Sequence, residues 1–331
     1  MALIGNNIFK AKELLQNGHL VAIPTETVYG LGANALDASA VLKVYEVKQR
    51  PFFDPLIIHV SSLDQALNYA ELNDERLKKL AQKFWPGPLT LLLPKKNILP
   101  SGEAGIPDLV TSGLSNVAVR VPQHELTLQL LNQLNFPVAA PSANPFGYVS
   151  PTEAEHVNKQ LGEKIEYILD GGKCTVGIES TIVGLEEGEI CVYRLGGLAI
   201  EDIEKEIGKV SLRINNSSDP KAPGQLKNHY APNKPLHIGK LNDLIERYNK
   251  KTMAILCFGK TPSPKPNVTY FNLSEKENLE EAAINLFSLL RKTGEGNFDV
   301  ILAEPLPEKG LGRAINDRLR RAETKQSTNW E

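Results

Sequence analysis

The 331-residue sequence is short of the features that mark several protein classes. Its three cysteines, Cys174, Cys191 and Cys257, are too few and too scattered for a disulfide framework or a paired-cysteine zinc site. A reducing compartment is therefore expected, and no metal site is assigned. No apolar run approaches the roughly 20 residues needed to cross a bilayer. The first residues lack the basic start and apolar stretch of a secretory signal, so a cytoplasmic protein without membrane association is expected. Neither sign of charge is in excess: 37 basic residues face 39 acidic ones, a formal net charge of −2. That balance gives no global attraction to nucleic acid or a membrane surface. Two glycine motifs also fall short. Gly171-Gly172-Lys173 is followed by Cys174 where a phosphate loop needs Ser or Thr, and it lacks the upstream glycine. Gly310-Leu311-Gly312 lacks the third glycine of a dinucleotide fingerprint and reads as the turn opening the last helix. No internal repeat is visible.

What is present is enough for two cores, since the length exceeds that of a usual single domain and 41% of the residues are hydrophobic. Helical apolar spacing covers residues 8–17, 38–47, 64–84 with a break, and 153–161. Apolar runs at 19–24, 55–60, 89–93, 117–121, 137–140, 167–170 and 181–183 read as strands. Strands and helices alternate, which predicts an α/β or α+β domain with a twisted mixed sheet over residues 4–210. Residues 211–235, rich in proline and asparagine, read as a connector without regular structure. Beyond it, strands near 236, 253 and 300 alternate with helices at 241–249, 279–291 and 313–322. They predict a small parallel β/α domain over residues 236–331.

The segment Ile23-Pro24-Thr25-Glu26-Thr27-Val28-Tyr29-Gly30-Leu31-Gly32 joins a strand end to hydroxyls, a carboxylate and glycines. Such polar groups are costly away from water unless paired, so a polar ligand is expected to dock there. Lys48 and Arg50 stand two apart. In an extended segment they share one side and form a cationic pair suited to a polyphosphate, while a solvated helix end is the alternative. The loop from Pro141 to Thr152 carries Ser142, Asn144 and Ser150, donors able to hold phosphate or ribose oxygens. Turn chemistry and an N-cap for the helix at Glu153 explain them equally. Arg120 closes an apolar alternation and needs an anion, either a structural carboxylate or a ligand. His59 alone reads as a core histidine, Arg194 as a strand-end arginine, and Tyr230 as an anchor for the connector.

Four motifs in order change the balance: the 23–32 segment, Lys48-Gln49-Arg50-Pro51, Pro141-Ser142-Ala143-Asn144, and Gly224-Gln225-Leu226-Lys227-Asn228-His229-Tyr230-Ala231-Pro232. Together they resemble the YrdC-like family, and the last narrows the resemblance to its two-domain threonylcarbamoyl-AMP synthases. The resemblance covers nearly the whole chain. It implies a YrdC-like twisted mixed sheet with flanking helices and a smaller Rossmann-like C-terminal domain. It also implies formation of threonylcarbamoyl-AMP and pyrophosphate from L-threonine, bicarbonate or carbon dioxide, and ATP with Mg2+, the product passing to tRNA-modifying machinery. By the same resemblance Lys48 and Arg50 act on the ATP phosphates. Asp54, Asn116, Ser142, Asn144, Ser150, Arg194 and Tyr230 complete the ATP site, and Thr27, His59, Arg120, Ala140 and Ser180 hold threonine.

Two positions depart from the family pattern. Asp54 stands where Asn is common, and its carboxylate would repel phosphate unless it binds a metal or pairs with Lys48 or Arg50. Asn116 replaces a frequent Thr. Two rival readings are kept. One is an RNA-binding module using Arg313, Arg318, Arg320, Arg321 and Lys325, a cluster read here as a solvated helix face. The other is a carbamoyl-adenylate enzyme related to hydrogenase-maturation carbamoyltransferases, whose acylphosphatase module and zinc-finger cysteines are not found.

Overall fold

A computed structural model of the protein describes residues 1–214, 222–223 and 230–324. Most of the 211–235 connector, residues 224–229 of the fourth motif, and Lys325 lie outside the described residues. The chain divides into two units, one of residues 1–146 with 150–227 and one of residues 147–149 with 228–331.

In the first unit the elements run β1 (Leu3–Gly5), α1 (Ile8–Gln16), β2 (Val21–Ile23), β3 (Gly30–Asn34), α2 (Ala38–Lys48), β4 (Ile57–His59), α3 (Leu63–Tyr69) and α4 (Glu75–Phe84). They continue through β5 (Leu89–Pro94), α5 (Asp108–Thr111), β6 (Asn116–Arg120), α6 (Glu125–Leu131), β7 (Val138–Ala139), α7 (Ala154–Leu161) and β8 (Tyr167–Leu169). The unit ends with β9 (Thr181–Glu186), β10 (Glu189–Arg194), α8 (Ile200–Ile207) and β11 (Ser211–Leu212). Among the described residues these strands form one sheet in the order β1-β8-β2-β3-β7-β4-β6-β5-β9-β10-β11, with parallel and antiparallel pairs. The expected mixed α/β sheet is what the chain builds.

Strand alternation sorts the side chains between two faces. One face is covered along its length: Ile58, Leu91, Leu93, Val117, Val119 and Val183 pack with Val44 of α2, Leu80 of α4, Val157 of α7 and Ile203 of α8. The opposite face is covered at one end only, where α1 and α6 bring Ala11, Leu15, Leu130 and Leu131 against Val21, Ile23, Val138 and Tyr167. Past β7 that cover stops. Ile57, Leu92, Ala118, Ile182, Cys191 and Tyr193 then form a separate apolar patch, on which Ala222 of the connector packs. Among the described residues of the first unit no helix contributes to this patch, and a sheet face floored in this way is where a ligand site can form.

Local chemistry sets the segments that reach this face. The Asp37 carboxylate caps α2 by accepting from the Ser39 and Ala40 amides. At its other end α2 stops at Lys48, because Gln49 is left-handed (φ 54°) and Arg50 precedes a proline, a position that disfavours helix. The sequence expectation of an extended Lys48-to-Arg50 stretch is corrected here. Strand β3, which the sequence does not announce, lies so close to its neighbours that a side chain at Gly32 would meet Val138 Cγ1 at 2.9 Å. The β9–β10 hairpin turns through Glu187 and Gly188, both with positive φ (52° and 81°), as a two-residue hairpin turn requires. The short β11 pairs with β10 and so places regular structure at the start of the connector, against expectation.

The second unit contains β12 (Leu236–Ile238), α9 (Leu241–Arg247), β13 (Met253–Cys257), β14 (Val268–Asn272), α10 (Leu279–Glu295), β15 (Val300–Ala303) and α11 (Gly312–Ala322). Its four strands are parallel, in the order β12-β15-β13-β14, as the sequence predicted apart from the unforeseen β14. The expected solvated face holds for Arg320, which is exposed, but not for Arg318 and Arg321. Arg318 and Arg321 are buried and share the Asp317 carboxylate, and Arg320 pairs with Glu308. Tyr230 belongs to this unit, its ring stacked on Phe287 at 5.4 Å with the Arg318 guanidinium 5.4 Å from its centroid. Arg291, also buried, donates to the Val149 carbonyl and lies over the Tyr148 ring.

Candidate active site

The strand register aligns a row of side chains across the uncovered face. His59 of β4 pairs with Arg120 of β6, Thr90 of β5 falls level with Arg120, and Thr90 pairs with Ile182 of β9, which pairs with Arg194 of β10. His59, Thr90, Arg120 and Arg194 are all buried. Burying so many polar groups on one line of a sheet is costly unless each has a partner.

Arg120 has three. Its Nη2 pairs with Glu26 Oε1 at 2.7 Å, its Nη1 donates to Thr27 Oγ1 at 2.8 Å, and its Nε donates to the Gly87 carbonyl at 3.2 Å. Glu26 Oε2 accepts from the Gln123 amide at 3.0 Å. The turn carrying Glu26 and Thr27 is built by Thr25, whose hydroxyl accepts the Thr27 and Val28 amides at 3.1 Å and donates to the Val28 carbonyl at 2.7 Å. Glu26 and Thr25 are site residues that the sequence reading left without a role. The only signal was their presence in a polar segment at a strand end.

Further along the row, Ser180 Oγ lies 2.7 Å from Thr90 Oγ1 and accepts from Arg194 Nη2 at 3.0 Å. Arg194 also donates to the Ser180 carbonyl and, at 3.3 Å, to the Pro223 carbonyl of the connector. It is thus a buried member of the site rather than an ordinary strand-end arginine. Gly196 fits beneath, since any side chain there would come within 2.3 Å of the Glu179 carbonyl. Ala140, next to β7, donates its amide to the Ile57 carbonyl and presents only a methyl group.

A second cluster surrounds the end of α2. Lys48 is buried, and its Nζ donates to the Ser142 and Asn144 carbonyls at 2.5 Å. Arg50 is also buried, with Nη2 2.8 Å from Asp54 Oδ2 and further bonds to the Asp54 and Pro55 carbonyls. The expected exposed cationic pair is therefore corrected: these are two separately anchored buried cations, and Asp54 takes the Arg50 partnership that the sequence left open. Ser150 Oγ donates to Glu179 Oε1 at 2.6 Å, while α7 begins after Glu153 without a side-chain cap. Ser150 therefore links the loop to the Ser180 strand and does not cap the helix. Asn116 lies at the other end of β6, about 13 Å from Arg120 along the strand. It lines a surface cavity of about 210 Å3 with Leu92 and Pro94. The first unit thus brings together the Thr27, His59, Arg120, Ser180 and Arg194 group and the Lys48, Arg50, Asp54, Ser142 and Asn144 group, with Asn116 apart.

Burial, and after it the Arg120 guanidinium, push the His59 imidazole down to about 3. His59 is then neutral at physiological pH, and its imidazole carries one ring N–H and one lone pair. Burial followed by Arg50 holds the Lys48 ammonium well below its usual range. The His59 shift makes a stability prediction. Between about 6.5 and about 3 the unfolded chain binds a proton at this position that the folded chain does not. Stability contributed by neutral His59 is therefore complete above pH 6.5 and is lost as pH falls, by about 1.4 kcal/mol per pH unit. Urea denaturation from pH 7.5 to 4.5 is expected to show a shallower acid decline for His59→Gln than for the unsubstituted protein.

Such a face, with a neutral imidazole, buried cations and a hydroxyl row beside an apolar floor, defines the protein as a mixed α/β protein with a polar candidate site on one face of its larger sheet. Residues 13–196 match the Sua5, YciO and YrdC family, described as telomere recombination, and residues 198–323 match the threonylcarbamoyl-AMP synthase C-terminal domain. The chain belongs to the threonylcarbamoyl-AMP synthase family. It is 42% identical over 325 residues to the threonylcarbamoyl-AMP synthase of Pyrococcus abyssi, covering 94% of this chain and 92% of that one. With the Bacillus subtilis threonylcarbamoyl-AMP synthase it shares 38% identity, over 95% and 92% of the two chains. A crystal structure of P. abyssi Sua5 complexed with L-threonine superposes with a TM-score of 0.88 at 40% identity and 97% coverage of each chain.

Proposed function

We propose that the protein is an L-threonylcarbamoyladenylate synthase, a nucleotidyltransferase that converts L-threonine, bicarbonate or carbon dioxide, and ATP into threonylcarbamoyl-AMP and pyrophosphate. The observation that carries this reading is the Arg120 fork. Gly87 takes the Nε–H, Thr27 takes one N–H of Nη1, and Glu26 lies beside Nη2 as an ion-pair partner, so each terminal nitrogen keeps an N–H that an amino-acid carboxylate would accept. Thr27, which meets Arg120 directly, and His59, Ala140 and Ser180 are assigned the rest of threonine. The small Ala140 leaves room for a branched side chain.

The phosphate side is assigned to Lys48, Arg50, Ser142, Asn144, Ser150 and Arg194, with Asp54 holding Arg50 in place. Asn116 and Tyr230 are further nucleotide contacts by family resemblance alone. In the reaction, the threonine nitrogen bonds to the carbon of carbon dioxide and releases a proton to solvent. A carbamate oxygen then bonds to the α-phosphorus, and the bond to the β-phosphate oxygen breaks. Lys48 and Arg50 stabilise the charge that gathers on the leaving pyrophosphate. Arg120 and its neighbours contribute by holding the carbamate in line, so no protein nucleophile is needed. Among the described residues no cluster of three or more His, Cys, Asp or Glu side chains is arranged to hold a metal. Magnesium is assigned to the triphosphate, as part of the substrate, because it keeps its waters and binds readily to phosphate oxygens. The Ala222-Pro223 segment, where Ala222 packs on the apolar patch, would keep water from a labile mixed anhydride.

The product would serve as donor for threonylcarbamoyl-adenosine in tRNA, in the cytoplasm. Among the described residues no helix is long and apolar enough to cross a membrane. The test is pyrophosphate release by purified protein with ATP, magnesium and bicarbonate, with and without L-threonine. Release that needs both threonine and bicarbonate is the expected result. Release without threonine, or with carbamoyl phosphate in its place, sinks the reading.

A further inference from the structure

We infer that Glu26 is a positioning residue for the amino-acid substrate, acting through Arg120. The proposal rests on the reading that Arg120 takes the threonine carboxylate, and it adds a residue to which no role has been given. One oxygen of the Glu26 carboxylate accepts from the Gln123 amide at 3.0 Å, and the other lies 2.7 Å from Arg120 Nη2 in a buried ion pair. The Glu26 main-chain carbonyl accepts from the Val176 amide at 2.7 Å. Glu26 therefore ties three segments together: the turn after β2, the chain leaving β6, and the loop leading to Ser180. Arg120 enters this frame from the end of β6 and has no rotational freedom left. Thr27 fixes one terminal nitrogen, Glu26 the other, and Gly87 the Nε.

The carboxylate form is needed for a simple reason of hydrogen-bond direction. Glutamine at this position offers one acceptor and one NH2 group, while both partners are donors, so one of them would face another donor. If the amide oxygen serves Gln123, the Arg120 guanidinium loses its lateral restraint and its charge compensation. If it serves Arg120, the Gln123 amide loses its acceptor. Either way the fork is no longer held at the angle that presents two N–H groups to a ligand carboxylate. The two Glu26 oxygens are engaged by Arg120 and the Gln123 amide, so Glu26 acts on the substrate through Arg120.

The experiment compares the unsubstituted full-length protein with Glu26→Gln and Glu26→Asp by steady-state kinetics and by calorimetric titration with L-threonine. Glu26→Gln is expected to raise the threonine KM and Kd by about 10–100-fold, the loss of one charge-assisted hydrogen bond. The ATP KM, and kcat at saturating threonine, are expected to stay within about 3-fold, because uniform binding of one substrate is what has been lost. Glu26→Asp keeps two charged acceptors and is expected to fall between the two. In an Arg120→Lys background, where no fork exists to be oriented, Glu26→Gln is expected to add less than about 2-fold.

An unchanged threonine KM in folded Glu26→Gln overturns the proposal. So does a parallel rise in the ATP KM, which marks general disruption. If Glu26→Gln does not fold, Glu26→Asp decides by the same split between threonine and ATP. Should the unsubstituted protein bind threonine yet release no pyrophosphate, the proposed reaction falls while the Glu26 comparison stands on the binding data alone.

Discussion

Arg120→Ala is expected to lower the stability of the first unit by about 3–5 kcal/mol and to abolish the use of threonine. The physical reason is the buried pair. Glu26 and Arg120 side chains are 3% and 4% exposed, and removing one partner leaves the other ion uncompensated in a poorly solvated place. For a unit of about two hundred residues, a loss of that size corresponds to a fall of roughly 6–20 °C in the unfolding midpoint. The same substitution strips Thr27 Oγ1 of its donor and takes away the two N–H groups left for a carboxylate.

Stability and function separate in the double variant. Combining Arg120→Ala with Glu26→Gln removes the stranded charge, so part of the lost stability is expected to return, while threonine-dependent pyrophosphate release stays absent. Thermal denaturation followed by circular dichroism reads the first, and pyrophosphate assay the second. If Arg120→Ala alone keeps both its melting midpoint and its threonine KM, the assignment of Arg120 as carboxylate receptor is wrong.

How far the residues foretold this arrangement depended on the range of the interaction. Strands β5, β6, β13 and β15 are apolar runs between turn residues, and they lie where periodicity put them. Strands β1, β3 and β14 were not legible. The first is three residues long, β3 reads Gly-Leu-Gly-Ala-Asn with little strand propensity, and β14 mixes polar and aromatic residues at a sheet edge. Tertiary packing makes β3 a strand, since its Gly32 admits Val138 where another residue would collide. Helix α2 was placed by its spacing, yet its last turn decides what Lys48 does. The pattern of two suggested a shared side for Lys48 and Arg50, and the left-handed Gln49 between them removes it.

The site divides in the same way. Individual polar residues stood out against apolar neighbours, and the order of the motifs carried the family. Their partnerships did not stand out, because they join distant parts of the chain: Glu26 with Arg120, Thr90 with Ser180, and Ser150 with Glu179. A single sequence shows that a buried arginine needs an anion, without showing which one. The register of β4, β6, β5, β9 and β10 supplies that information by lining the polar residues up.

Lys48 is the position where loss of activity without loss of threonine binding is expected. Its ammonium bridges the Ser142 and Asn144 carbonyls from the end of α2, tying the helix to the loop that carries the proposed ATP contacts. Lys48→Met keeps most of the buried volume but provides no donor, so both carbonyls lose their partner and the phosphates lose a cation. A fall in kcat/KM for ATP of about 10^2–10^3-fold is expected, the range found when a preorganised charge-stabilising group is removed. Calorimetric threonine affinity is expected to stay within about 3-fold, because Arg120 is anchored by Thr27, Glu26 and Gly87 instead. The pH dependence supplies an independent check. Burial and the neighbouring Arg50 hold the Lys48 ammonium well below its usual range, so rising pH removes its proton earlier than for an exposed lysine. Because kcat/KM reports the free enzyme, its alkaline limb is expected to begin well below 10.5. Lys48→Arg, whose guanidinium does not titrate there, is expected to flatten that limb in whatever activity it retains. A Lys48→Met enzyme with unaltered kcat/KM for ATP, or an alkaline limb shared by the Lys and Arg forms, would show that Lys48 only supports the loop.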